Sequence, residues 1–236
     1  RKGAMQKKFE IIPRIMWMPL ILTLTLNSIT YFGSRQFTSN RYHFDLSNRL
    51  DDGIPFVPWT VVIYLGCYVF WVINYVIGCR QERDRAFRFI SADFAAKLVC
   101  LFCYMAFPTT NTRPVIEGSS VWEELMRLLY RMDAADNLLP SIHCLTSWFC
   151  FLAVRKNEKI PVWYKWVSLL IAVSICISTL TTKQHVLIDV FAGVALAELS
   201  YLFVEKSGFS RWYKNVMEKG EKWMADRRRW MHGEKY

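Results

Sequence analysis

The chain has four histidines, and two of them stand in comparable surroundings. His143 ends the segment Asn137-Leu-Leu-Pro140-Ser141-Ile142-His143, and His185 lies in Lys183-Gln184-His185-Val-Leu-Ile-Asp189. Each opens a strongly apolar stretch, and Arg113-Pro114 closes another upstream. An arginine, a serine and two histidines, one followed four residues later by an aspartate, are the parts needed to move a phosphoryl group without a metal. The guanidinium clamps phosphate oxygens, one imidazole attacks phosphorus while the aspartate orients it, and the other imidazole protonates the leaving oxygen.

Each motif has a local physical argument. His185 and Asp189 share a helix face at a spacing of four, so the carboxylate can accept the imidazole N–H. Asp189 lies about a turn inside an apolar stretch, where an ionisable group is functional by default. Ser141 and His143 follow Pro140, a residue suited to a helix's first turn. The free N–H groups and the dipole at a helix start favour a phosphate. Arg113 follows the hydroxyl-rich run Thr109-Thr110-Asn111-Thr112, which reads as a phosphate-binding turn. Taken singly, Ser141 could be only a cap, His143 an interfacial polar group and Arg113 a loop arginine. Their conjunction carries the reading.

The elements that must position these residues are helices crossing a membrane. Apolar residues make up 53% of the 236, and they come in blocks with the charges between them. Blocks of about 17–25 apolar residues read as spans whose backbone is satisfied internally. Six are expected, at 12–32, 57–78, 90–107, 142–154, 162–180 and 186–204, the fourth being short unless it extends back to Asn137. Trp17, Tyr31, Trp59, Trp163 and Tyr201 suit interfacial belts. An even number of spans puts both termini on one side. With 22 of the 30 basic residues at the termini and in the second and fourth connections, against seven on the opposite side, that side is expected to be cytoplasmic. Arg113, His143 and His185 then share the extracytoplasmic face. A bacterial plasma membrane is the expected setting, a lumenal leaflet being the eukaryotic counterpart.

This arrangement excludes other classes. The net charge of +10 is a topology signal rather than a nucleic-acid footprint. The seven cysteines lie within or beside apolar blocks, which does not make a disulfide framework. Cys100-x-x-Cys103 lacks a second ligand pair. No carboxylate–histidine cluster has metal-ligand spacing, so neither metal nor other cofactor is expected. The first apolar block is too long for a cleavable signal and ends without a small-residue cleavage site.

Across residues 97–205 the chain resembles the type 2 phosphatidic acid phosphatase (PAP2) superfamily of integral membrane lipid phosphatases, whose relatives include sphingomyelin and inositol phosphorylceramide synthases. That family's pattern is Lys-x6-Arg-Pro, Pro-Ser-Gly-His and Ser-Arg-x5-His-x3-Asp. Here the matches are Arg113-Pro114, Pro140-Ser141-Ile142-His143 and Ser178-Thr179-x5-His185-x3-Asp189. The resemblance implies that His185 is the nucleophile that becomes phosphohistidine, Asp189 its orienting partner and His143 the general acid. By the same resemblance Arg113 and Ser141 hold the phosphate. The chain departs from the pattern at Ala106, Ile142 and Thr179, where the family has Lys, Gly and Arg. Ile142 can still offer its backbone N–H, and Lys183 is a candidate replacement cation.

The expectation is therefore an all-α integral membrane protein, a six-span PAP2-like catalytic bundle over residues 1–205 with a basic amphipathic cytoplasmic tail over 206–236. It is expected to hydrolyse a lipid phosphate or pyrophosphate through a phosphohistidine, with membrane lipids and no nucleic acid as partners. A lipid phosphotransferase, or an inactive scaffold made imaginable by the lost Lys and Arg, are the alternatives. Lesser expectations follow. Asp93 and Lys97 form an ion pair inside the bundle. Gly193-x-x-x-Ala197 permits close helix contact. Glu198 makes a seam hydrogen bond or a proton route. Trp122, Leu125/Met126, Leu129 and Met132 form a stripe that is either a lid or packing onto the loops. In the tail, Trp212/Tyr213, Val216/Met217, Trp223/Met224 and Trp230/Met231 face the inner leaflet.

Overall fold

A computed structural model of the protein describes residues 10–231, without the side chains of residues 228, 230 and 231. Arg1, Lys2, Lys7, Lys8 and Lys235, and the side chains of the expected Trp230/Met231 pair, lie outside the described residues. The helices in chain order are α1 (Arg14–Ser28), α2 (Ser34–Thr38), α3 (Arg49–Asp52), α4 (Val61–Cys79), α5 (Arg83–Ala106), α6 (Val121–Met132), α7 (Ile142–Arg155), α8 (Val162–Thr181), α9 (Leu187–Lys206) and α10 (Phe209–Met231). A π-helical turn at Ile29–Gly33 joins α1 to α2, and a 3₁₀ turn at Pro58–Thr60 leads into α4. Two short strands, β1 (Phe44–Asp45) and β2 (Thr109–Thr110), pair in parallel between the first and third interhelical connections.

Five helical segments are long and apolar enough to cross a membrane: Arg14–Thr38, Pro58–Cys79, Arg83–Ala106, Val162–Thr181 and Leu187–Lys206. The sixth apolar helix, α7, has 14 residues, about 21 Å at 1.5 Å per residue. That is well short of the roughly 30 Å hydrocarbon thickness. It needs no more, because α4, α5, α8 and α9 surround it and eleven of its residues are buried. The helix does not extend back to Asn137. Residues 137–141 are not helical, and Asn137 adopts the left-handed conformation at φ 53°, which ends any helical run there. The third span starts earlier than its apolar run. The charged residues Arg83, Asp84, Arg85 and Arg88 form its first turns, reaching out of the apolar layer.

Partners at that end are supplied by other elements. Arg83 meets Glu218 at 2.8 Å, Lys214 meets Asp84 at 2.6 Å, and Arg88 and Lys156 each reach Glu205 at 3.2 Å. Such exposed pairs stabilise little individually, but they gather the start of α5, the ends of α7 and α9 and part of α10 at one end of the bundle. Glu198 is held by Arg155 through both carboxylate oxygens, at 2.6 and 3.0 Å, and by Trp148 Nε1 at 2.9 Å. That makes it a seam hydrogen-bond centre. In α10, Tyr213 and Met217 are buried in the main core while Trp212 and Trp223 are exposed. The helix thus docks part of its apolar face on the bundle rather than presenting all of it to lipid.

The core holds one further ionic group. Lys97 Nζ lies 2.9 Å from Asp93 Oδ2, the carboxylate also accepts from Tyr75 at 2.7 Å, and both charges are essentially inaccessible. An unpaired charge at this depth would be expensive, so the i, i+4 pair and the tyrosine keep the seam neutral.

At the opposite end, α7 and α9 approach closely. A Cβ at Gly193 would stand 2.6 Å from the Ser141 carbonyl and 3.2 Å from Cys144 Cβ, and Ala197 one turn on is fully buried. The small-residue pair thus brings α9 against the first turn of α7. The amphipathic helix α6 buries Met126 and Leu129 against Val61 and Tyr64, leaving Trp122 and Met132 exposed. Only the middle of its stripe is packing, and Tyr130 of the same helix lies under the Arg113 guanidinium.

Candidate active site

The segment before α7 is anchored from three directions. Leu138 and Leu139 N–H donate to Thr109 Oγ1 at 2.9 and 3.0 Å, and Thr110 Oγ1 donates to the Ala135 carbonyl. Tyr104 donates to the Pro140 carbonyl at 2.7 Å. Ser141 N–H donates to the Asp189 carbonyl at 3.0 Å. The hydroxyl-rich run at 109–112, read from sequence as a phosphate-binding turn, is therefore largely spent on scaffolding. Thr112 donates to Asp45 and Asn111 Nδ2 to the Lys183 carbonyl. Ser141 is the N-cap of α7, its Oγ accepting from Cys144 N–H at 3.3 Å. Helix geometry leaves the earlier N–H groups, those of Ile142 and His143, without intrahelical acceptors.

The second motif sits on a turn between α8 and α9. Gln184 and His185 N–H both donate to the Thr179 carbonyl, at 3.0 and 3.1 Å. Lys183 adopts φ 53°, the left-handed conformation that closes such a turn. Thr179 is fully buried and donates to the Cys176 carbonyl. Asp51, from α3, accepts the Leu187 N–H at 2.7 Å, so a residue 136 positions away caps the start of α9. Its carbonyl accepts Lys183 Nζ at 2.9 Å.

These anchors bring the two imidazoles together, with ring centroids 6.1 Å apart and planes at 55°. His185 Nδ1 is 3.3 Å from Asp189 Oδ2, which also accepts Val186 N–H at 3.1 Å. Burial opposes the charged form of His185, but the hydrogen bond and charge of Asp189 outweigh it and raise the imidazole's pKa. With Nδ1 donating to the carboxylate, the Nε2 lone pair is left for an electrophile. His143 is placed differently. Its Nδ1 is 3.3 Å from the Tyr64 hydroxyl, which donates to Asp133 Oδ2 at 3.0 Å. The rings of Tyr64, Trp71 and Tyr68 surround His143 at centroid distances of 4.6, 5.5 and 6.4 Å.

Arg113 arrives from the third connection. Its guanidinium donates to the Asp133 carbonyl and to Gln184 Oε1, and lies 4.6 Å above the Tyr130 ring. Burial lowers its pKa from the ordinary value, although a guanidinium does not deprotonate in proteins. Tyr130 donates to the Thr182 carbonyl at 2.8 Å, and burial pushes its phenol up to about 12. Arg113 Nε and Gln184 Nε2 are buried without a partner. Buried donors left open are costly unless something fills them. Arg113 lines the same cleft as His185, and Gln184 precedes His185 in the chain.

The structure thus brings His143, His185, Asp189, Arg113, Ser141 and Ile142 to one place, whereas Lys183 lies at the rim. A cleft of about 410 Å³ there is lined by Arg113, Lys183, His185 and Asp51. Between the histidines, the cavity lined by Tyr31, Tyr104, Asp133 and Gln184 is only about 10 Å³, room for about one water. Ala106, at the first-motif Lys position, is exposed at the end of α5. Sequence reasoning did not single out Tyr64, Asp51, Asp133 or Gln184. Gln184 was within reach, being adjacent to His185, and Asp133 is an ionisable group close to a motif. Tyr64 is one of 11 tyrosines and carries no mark of its role. Among the described residues, no group of three or more His, Cys, Asp or Glu side chains could hold a metal ion.

A bundle of membrane-crossing helices that converges two histidines, an aspartate and an arginine at one end defines a membrane protein of the phosphatase or phosphotransferase type. The chain belongs to the PAP2 superfamily, whose sequence model matches residues 40–203. No curated protein sequence matches it.

Proposed function

We propose that the protein is a lipid phosphatase that cleaves a lipid phosphate or pyrophosphate through a phosphohistidine at the extracytoplasmic face. The observation that carries this reading is the pair of imidazoles 6.1 Å apart, with a carboxylate on His185 and open donors beside them. In the first step His185 Nε2 attacks phosphorus, forming a P–N bond as the P–O bond to the lipid breaks. His143 gives its Nε2 proton to the leaving oxygen. In the second step His143 takes a proton from water, the water oxygen attacks phosphorus, and the P–N bond breaks. Phosphate is released and both histidines return to their starting state. Arg113, Gln184 Nε2 and the first N–H groups of α7 hold the phosphate oxygens through charge that develops in the transition state.

A second reading is phosphotransfer from a phosphodiester to a lipid alcohol, the alcohol replacing water in the second step. Asp133 favours it. Its carboxylate lines the cavity between the histidines, where it would repel a doubly charged monoester more than a singly charged diester.

A panel of lipid phosphates, pyrophosphates and phosphodiesters, read by phosphate release and by mass spectrometry with and without an acceptor alcohol, tests both readings. Free phosphate from monoesters is expected, in EDTA as well as without it. Product that appears only with an acceptor makes the protein a transferase. Sidedness has its own test. In a Cys-depleted background, a cysteine at Ser119 should react with an impermeant maleimide in intact cells, and one at Asn157 only after permeabilisation. The reverse pattern puts the site in the cytoplasm.

A further inference from the structure

An apolar groove of about 360 Å³ runs between α1 and α4, lined by Leu20 and Leu24 on one side and by Tyr68 and Trp71 on the other. Its volume falls in the range of ligand cavities. Tyr68 and Trp71 also stand over His143, at 6.4 and 5.5 Å between ring centroids. The groove and the site therefore share a wall.

Besides the tyrosines, three polar residues interrupt the apolar lining, Asn27, Lys97 and Thr146. Asn27 is half-buried on α1 rather than on the helix that carries His143. Lys97 is spent on Asp93. Thr146 is not spent. It is 5% exposed, and its hydroxyl is buried without a partner. A threonine in a helix can donate to the carbonyl four residues back, as Thr38 of α2 does to Ser34 at 3.1 Å. Thr146 follows His143 by three residues, so it shares that face of α7 about 4.5 Å deeper in the membrane. One turn below the residue facing the leaving oxygen, an open donor thus borders the groove.

We infer that this groove seats the chains of the lipid substrate and that Thr146 donates to an ester, amide or hydroxyl oxygen one glycerol or sphingoid unit below the phosphate. The inference rests on the phosphatase reading and narrows it. Acyl-glycerol and ceramide-type phosphates carry an oxygen at that depth. Polyprenyl phosphates carry only hydrocarbon there and gain nothing from the hydroxyl. Tyr68 and Trp71 guide the chain past His143, while the neutralised Lys97 leaves the groove without net charge.

The test compares kcat/KM for diacylglycerol phosphate and polyprenyl phosphate in the full-length protein and in Thr146→Val, which keeps shape and removes the donor. The expected result is a loss of about tenfold, one hydrogen bond's worth, on the acyl lipid and less than twofold on the polyprenyl lipid. Thr146→Ser should recover most of the acyl-lipid activity. Equal losses on both lipids, no loss on either, or wild-type turnover of polyprenyl phosphate alone would overturn the subsite while leaving the phosphatase reading intact. Retention of both lipids by native mass spectrometry, in a His185→Ala background, needs no turnover. There the Thr146→Val change should selectively weaken diacylglycerol phosphate, and unchanged selectivity overturns the subsite even if the phosphatase reading fails.

Discussion

His185 touches its carboxylate directly, whereas His143 reaches one only through the Tyr64 hydroxyl. The first arrangement comes from a single helix start, with His185 and Asp189 four residues apart, and the second needs three elements, α4, α7 and the segment after α6. The surroundings differ too. His185 lies beside Gln184 and Arg113, groups that bind oxygens. His143 lies among the aromatic rings of Tyr64, Tyr68 and Trp71. A carboxylate in contact fixes a tautomer and favours the imidazolium that forms when phosphorus is attacked. A tyrosine in between transmits orientation but less charge, leaving the imidazole freer to give up a proton. In the proposed mechanism that difference is what separates a nucleophile from an acid.

If that contrast holds, the two histidines must fail differently. His185→Ala should lower kcat/KM by more than about a thousandfold, ~4 kcal/mol, whatever the leaving group, because no phosphoenzyme can form. Residual turnover within about tenfold of wild type, on any substrate, would remove His185 from that role. His143→Ala should cost about 10²–10³-fold on alkyl lipid phosphates, the usual worth of a general acid. Aryl phosphates, whose leaving groups need no proton, should recover much of it. Identical losses on alkyl and aryl substrates would erase the distinction between the two residues.

Asp189→Asn sharpens the contrast through pH. The nucleophile must be unprotonated, so activity falls as pH drops through the His185 pKa. Burial lowers that pKa, but Asp189 raises it above the ordinary histidine value. The acid limb of the wild-type kcat/KM profile should therefore lie above the ordinary range. Replacing the carboxylate removes the largest influence opposing burial and leaves only the weaker charges of Cys144 and Asp133. The limb should therefore move to lower pH while the maximum falls by about a hundredfold. An acid limb that stays in place would mean that Asp189 does not set the charge of His185.

The parts of the molecule legible in sequence are those whose signal is local. Spans show as apolar runs, and the structure places five long helices and the short α7 at the positions those runs mark. The Asp93–Lys97 pair and the Gly193 contact follow from helical spacing alone. What escaped was long-range or dual in use. Asp51 caps α9 from a distant loop, and nothing near it in sequence announces the partner. Thr109 and Thr110 looked like phosphate ligands because hydroxyls serve scaffolds and anions equally well; the fold spends them on residues 135–139. Lys183 looked like a replacement cation beside the nucleophile. Its Nζ donates to the Asp51 carbonyl while the residue lines the cleft with Arg113 and His185. Buried donors without a partner belong to Arg113 and Gln184, an arrangement that the sequence does not announce.

The smallest expected effect lies on the link that the contrast depends on most. Tyr64 is buried, 3.3 Å from His143 Nδ1 and 3.0 Å from Asp133, and its ring packs with Met126 and Leu129 of α6. Tyr64→Phe keeps that packing and removes only the hydroxyl, so the fold should persist. His143 then loses its fixed orientation, and Asp133 keeps Tyr31 as a hydroxyl donor. Because a positioning bond is worth about 1 kcal/mol, the loss on alkyl lipid phosphates should be about five- to tenfold. It should fall in kcat rather than KM, and it should shrink on aryl phosphates as the His143→Ala defect does. Combining Tyr64→Phe with His143→Ala should then cost no more than His143→Ala alone, since both changes act on one proton transfer. Fully additive losses would place Tyr64 in substrate binding instead, and would leave His143 without a link to Asp133.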